Sequence, residues 1–192
     1  MSNFLPDDYK KIPTSGGNYM RLKDGANTFR VLSSAIIGWE YWTEDKKPVR
    51  AKERWLTMPK NIRIEDDGSY KIKHFWAFAV WNCQDKAVQI LELTQATIMR
   101  GVKALVDNPK WGDPKNYDIT ITRTGEGFET EYHVAGDPPL GPTDSQILAA
   151  YKQKPVNLEA LYDGDDPFAA ESMRITVDKY DEEIKKIGNS IK

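Results

Sequence analysis

One stretch of this chain breaks the period of everything around it. From Thr94 to Val106 the residues Ile98, Val102, Leu105 and Val106 recur at helical spacing, Thr94 stands ready as a cap, and Asn108-Pro109 stops the run. Its flanks read as strands. The region 27–43 holds β-rich runs, Asn27 to Ser33 and Ala35 to Thr43, after an Asp24-Gly25 turn. Tyr70 to Asn82 and Lys86 to Leu93 follow as two long strands joined near Cys83-Gln84-Asp85. Beyond the helix and a Trp111-Gly112-Asp113-Pro114 loop, Tyr117 to Arg123 and Phe128 to Val134 alternate around Thr124-Gly125-Glu126-Gly127, the pattern of a hairpin. The order is then strand, strand, strand, helix, strand, strand. That is the element order of a five-stranded Greek-key OB-fold barrel, with its helix between strands 3 and 4.

The ends read differently. Residues 1–18, with Pro6, Pro13, Gly16 and Gly17, form an N-terminal arm, which leaves 19–136 as the barrel domain. Pro138, Pro139, Gly141 and Pro142 close it, and 137–192 is expected to be a short helical, acidic extension. Within it Thr143 or Asp144 caps a helix reaching Gln153, and a last helix runs from about Val177 to Ile187. The chain of 192 residues has a net charge of only −2, which does not mark a nucleic-acid binder. Its distribution is less neutral: residues 137–192 hold seven Lys/Arg against eleven Asp/Glu, so the rest is mildly basic.

The single cysteine, Cys83, excludes an intrachain disulfide and a Cys-rich zinc site. The N-terminus has neither a basic region nor an apolar run, so no signal peptide is expected. No stretch approaches the ~18 apolar residues of a membrane span. A reducing, cytoplasmic setting follows, with no membrane partner.

Cations interleaved with rings carry the functional reading. Lys46, Lys47, Arg50, Lys52, Arg54, Lys60 and Arg63 share the segment 46–63 with one acid, Glu53. Such a cluster neutralises phosphates and releases their counterions. Trp55 lies inside it and Tyr41 and Trp42 precede it, and rings of this kind stack nucleobases. The plainer alternative is a solvated basic loop with Trp55 tucked into the barrel. In Tyr70 to Trp81, alternation puts Lys71, Lys73, Phe75, Ala77, Ala79 and Trp81 on one face and Ile72, His74, Trp76, Phe78 and Val80 on the other. The second face reads as barrel interior. The first either offers Phe75 to a base or packs Phe75 and Trp81 under the helix or the arm. Arg21, Lys23 and Arg30 extend the cationic track. On this reading, replacing Arg50, Lys52 and Arg54 together flattens the salt dependence of binding.

Nothing in the chain forms a catalytic motif. His74 and His133 sit inside strand patterns, and no paired-cysteine, HExxH, phosphate-loop or nucleophile-elbow pattern occurs. Neither a metal nor a cofactor is expected, and the protein is read as a binder rather than an enzyme. A metal-dependent nuclease assembled from distant carboxylates, or an OB-type protein-interaction module, are the alternatives. Asp163-Gly164-Asp165-Asp166-Pro167-Phe168 reads either as a hook for a partner protein, with Asp163, Asp165, Asp166 and Phe168 as its contacts, or as a solvated turn.

Asn18-Tyr19-Met20-Arg21-Leu22, Ile36-Ile37-Gly38-Trp39-Glu40-Tyr41-Trp42, Lys73-His74-Phe75-Trp76-Ala77-Phe78, Trp111-Gly112-Asp113-Pro114 and Tyr117-Asp118-Ile119-Thr120-Ile121 resemble bacteriophage-encoded single-stranded DNA-binding proteins. The likeness spans roughly 15–136. It implies an OB-fold that coats exposed single-stranded DNA during replication, recombination or repair in an infected bacterial host, and contacts with replication or recombination proteins through the acidic region. Two features depart from the family. Some relatives hold a structural zinc, for which this chain has no Cys/His set. The acidic run ending in Phe168 is also followed by 24 further residues, whereas many relatives end there.

Overall fold

A computed structural model describes residues 17–137 and 144–169. The expected helix at 177–187, the Pro-rich stretch at 138–142 and most of the N-terminal arm lie outside the described residues.

The chain folds into one mainly antiparallel sheet of seven strands: β1 (Gly25–Val31), β2 (Ile36–Trp42), β3 (Pro48–Ala51), β4 (Lys73–Asn82), β5 (Ala87–Leu93), β6 (Asp118–Thr124) and β7 (Glu131–Gly136). Two features raise the expected five strands to seven: the runs 27–33 and 35–43, counted as one strand, are separate, and β3 was not expected. The β-rich region 27–43 breaks at Ser33-Ser34 into β1 and β2, which meet the same edge of β4 (Val31 opposite Val80, Ile36 opposite Ala77). Between them the Leu32 amide donates to the Ala79 carbonyl, and the Ser33 hydroxyl accepts from the Ala79 amide. They are two limbs of one bent strand. The other addition is β3, which forms inside the basic excursion and pairs with β2 as Glu40 opposite Arg50. Close approach there requires Gly38, since a Cβ would stand 2.3 Å from the Ala51 carbonyl oxygen.

The strand path β5-β4-β1-β6-β7 leaves β5 and β7 as its ends, and among the described residues no ladder joins them. Residues 17–20 cover the free edge of β5 instead, where Ile90 exchanges backbone hydrogen bonds with Asn18 and Met20. The helix α1 (Ala96–Asp107) packs on β7, with Gly101 fitting so closely over Val134 that a Cβ would come within 2.7 Å of it. Its cap is not Thr94: Gln95 holds that position, without a side-chain capping bond. Ile98, Met99 and Val102 enter the main core with Phe29, Phe78, Leu91, Leu93, Tyr117, Ile119 and Ile121. Trp111 plugs its edge, with its ring 5.2 Å from that of Tyr117.

The second core lies on the opposite face of the sheet. The segment after β7 returns through α2 (Ser145–Gln153), capped by Asp144, and a single turn, α3 (Ala160–Asp163). Leu158 and Leu161 bury against Phe75, Ala77 and Ile90, with Val156, Tyr162 and Phe168 around them. The Tyr162 hydroxyl donates to the Ile37 carbonyl at 2.6 Å, and the Lys154 ammonium donates to the Val88 carbonyl. The middle of β4 is therefore buried on both faces.

Candidate nucleic-acid interface

Where β2 leaves the covered part of the sheet, a concavity of about 380 Å³ opens, lined by Glu40, Trp42, Lys46, Arg63, Glu65, Lys71 and Lys73. Strand alternation builds it. Glu40 and Trp42 share a face of β2, and the Glu40–Lys73 register sets Lys73 and Lys71 beside them on β4 and its lead-in. Lys46 enters from the β2–β3 turn, which the Thr43 amide and carbonyl close by bonding to Lys47 and Lys46. The Arg63 amide donates to the Trp42 carbonyl at 2.8 Å, holding that residue next to the indole. Trp42 is 44% exposed. Among the described residues Lys46, Arg63 and Lys73 have no ion-pair partner, while Lys71 pairs with Glu65 at 3.6 Å.

The remaining cations of the basic segment do not converge on this concavity. Arg50 is internal: its side chain is 8% exposed, bonds Glu92 at 2.7 Å, lies 3.4 Å from Glu40 and covers the Phe75 ring. Lys52 pairs with Glu159 and sits over Tyr162. Arg54 crosses to the other face of the sheet and stacks on Trp39. Lys47 lines a separate cavity with Glu44, Asp45 and Asp165, and Lys60 is exposed and lines neither. Arg30 is buried against Asp118 at 2.6 Å, and Lys23 pairs with Asp85.

Phe75, expected to stack on bases, needs correction because a distant segment buries it, and Trp55 is half-buried rather than free. Phe75 is 0% exposed beneath Leu158, Leu161 and Tyr162, so it has no face open to a base. Trp55 packs edge-on against the buried Tyr41, 4.8 Å between centroids. Phe168 is likewise no free hook. Its ring packs into the second core under the Lys154 ammonium, while Asp163, Asp165 and Asp166 remain exposed.

A second ring cluster lies apart from the expected site. On the inner face beyond the main core, Trp39 lies 5.1 Å from His74, and the Trp76 indole donates to His74 Nε2 at 3.1 Å. Strict alternation along β2 was the available signal, since it separates Trp39 and Tyr41 from Trp42. Glu40 and Glu65 were also missed.

The Glu40–Arg50–Glu92 cluster holds two carboxylates against one guanidinium beneath the C-terminal segment. Burial, and then the Glu40 carboxylate, push Glu92 up to about 7. An acid raised in this way costs the fold stability as pH climbs from its ordinary value near 4.5 through about 7, because the unfolded chain ionises it freely. Glu92→Gln keeps an acceptor for Arg50 without the charge. Thermal melts from about pH 5 to about pH 8 should therefore show the parent losing on the order of 2 kcal/mol relative to Glu92→Gln. Parallel curves would show that Glu92 titrates normally.

Chemically, the concavity offers an open indole beside three cations without ion pairs, with Glu40 and Glu65 also in its wall, which suits a polyanion that carries flat rings. No group of three or more His, Cys, Asp or Glu able to hold a metal occurs among the described residues. Burial pushes the Cys83 thiol up to about 11, so it stays protonated at neutral pH. No described helix is long and apolar enough to cross a membrane.

The chain is 22% identical over 149 residues to a protein of Escherichia phage T5 named "Probable ssDNA-binding protein". The aligned part takes in 63% of this chain and 57% of that relative, so the chain spans little more than half of its length. No family model and no solved structure matches the chain.

Proposed function

We propose that this protein binds single-stranded DNA without acting on it chemically, and that the Trp42 concavity is where it does so. The observation that carries the reading is the open Trp42 indole among Lys46, Arg63, Lys71 and Lys73, which places a stacking platform within reach of groups that neutralise phosphates. The phage T5 relative's name agrees with it. Recognition by stacking and charge is largely independent of sequence, as coating of exposed strands in replication, recombination or repair requires. The sheet, bent at β1–β2 with α1 against its end strand, is of OB type on this reading, with β3 and the docked C-terminal segment as additions.

Titrating the protein with oligo-dT while following tryptophan emission tests the assignment. The parent should quench, and Trp42→Ala should lose most of the quench together with ~1–3 kcal/mol of affinity. If Trp42→Ala quenches and binds like the parent, the concavity is not the base site.

A further inference from the structure

The Trp42 concavity holds two groups that phosphate binding does not call for. Glu40 and Glu65 line it together with the cations, and a carboxylate repels a phosphate. Depth sorts these groups. Lys46, Arg63, Lys71 and Lys73 are exposed, and Glu65 is half-buried beside Lys71. Glu40 is 3% exposed, so its part of the lining is the floor. Phosphates held by the exposed cations therefore stay at the rim, and only the edge of a base reaches down to Glu40.

That floor lacks a hydrogen-bond donor. Beneath it Glu40 and Glu92 share the one guanidinium of Arg50. Arg50 Nη2 bonds Glu92 at 2.7 Å, whereas its Nε stands 3.4 Å from Glu40 Oε2. Neither of those last two atoms makes a hydrogen bond among the described residues. Leaving a buried charged acceptor without a donor is costly, and such a group in the wall of a cavity is suited to a ligand that brings one. Strand geometry sets it close to the indole. Glu40 and Trp42 share a face of β2 two residues apart, about 6.6 Å along the strand.

We propose that Glu40 reads the base stacked on Trp42, and favours cytosine over thymine or uracil by accepting a hydrogen bond from its exocyclic amine. The inference rests on the DNA-binding reading above and names the base chemistry of that same site. Cytosine presents an N4 amine where thymine and uracil present the O4 carbonyl, and a carboxylate accepts from the first and repels the second. The outcome is a preference laid over general binding, because every base has a face to stack on Trp42.

Titrating the full chain with oligo-dC and oligo-dU of equal length tests this, with tryptophan emission followed at one salt concentration and mildly alkaline pH. The two strands share backbone, ring size and charge, and differ at the hydrogen-bonding edge of the base. The parent should bind oligo-dC about fivefold or more tightly, the low end of what one specific base contact supplies. A glutamine amide donates to a uracil carbonyl as readily as it accepts from an amine, so Glu40→Gln should bring the two affinities within about twofold of each other. Equal affinities in the parent, or a Glu40→Gln protein that keeps the parent's preference, overturn the proposal while both strands still quench. A parent that neither strand quenches overturns the DNA-binding reading and this inference together. Should thermal melts show that Glu40→Gln does not fold, an oligo-dC whose amines carry two methyl groups decides with the parent alone. Its advantage over oligo-dU should vanish, and an advantage that persists overturns the proposal.

Discussion

Replacing Lys46, Arg63 and Lys73 together with alanine is expected to weaken single-stranded DNA binding by about 10²–10³-fold at low salt, because three phosphate contacts disappear at once. All three line the Trp42 concavity, and none has an ion-pair partner among the described residues. On a single strand each neutralised phosphate contributes about 0.7 to the slope of log affinity against log salt, so the slope should shrink by about 2. Stability should barely change, since exposed unpaired cations contribute little to the fold. Filter binding across a salt series measures both quantities. The set first suggested by the sequence, Arg50, Lys52 and Arg54, makes the contrast. Arg50 is committed to Glu92 and Glu40, Lys52 to Glu159, and Arg54 to Trp39. Removing them should cost stability, and should affect the salt slope far less than removing the open trio. An unchanged slope in the Lys46, Arg63, Lys73 variant would take the concavity out of the binding path.

Phe75→Ala should destabilise the protein by about 3–5 kcal/mol, the range for deleting a fully buried phenyl ring. Its ring is the floor on which the C-terminal segment rests. Leu158 and Leu161 cover it, Tyr162 lies 6.1 Å from it, and the Arg50 guanidinium sits over it at 5.7 Å. Urea unfolding supplies the measurement. In conditions where the variant remains folded, its DNA affinity should match the parent's. A large loss of affinity with little loss of stability would restore Phe75 as a stacking ring and contradict the observed burial.

These two results bear on what the sequence could show. Local signals translated well. The hairpin formed about Gly125, the helix stopped at Asn108-Pro109, Asp144 capped α2, and that helix ended at Gln153 as expected. Each depends on a few neighbouring residues. Burial of β4 on both faces depends on Leu158 and Leu161, some eighty residues away, and alternation by itself assumes one dry face and one wet one. The run Phe75 to Trp81 carries no charged residue, and that absence was the readable sign of a strand covered on both sides. Counting charge in 46–63 failed for a related reason. The carboxylates that occupy Arg50 and Lys52 come from Glu40, Glu92 and Glu159, all outside the counted window. Trp42 was named as a stacking ring from the sequence, but its place on the face of Lys71 and Lys73 follows only from the β2–β4 register. That register joins segments some thirty residues apart, and nothing in either segment alone specifies it.

Photocrosslinking maps the contact itself. A single strand carrying bromodeoxyuridine, irradiated with the full-length protein and digested for mass spectrometry, should yield its main adduct on the peptide containing Trp42. Adducts confined to Trp39, Trp76 or other peptides, with Trp42 unmodified, would contradict the claim that an open indole among unpaired cations is what this fold presents to DNA.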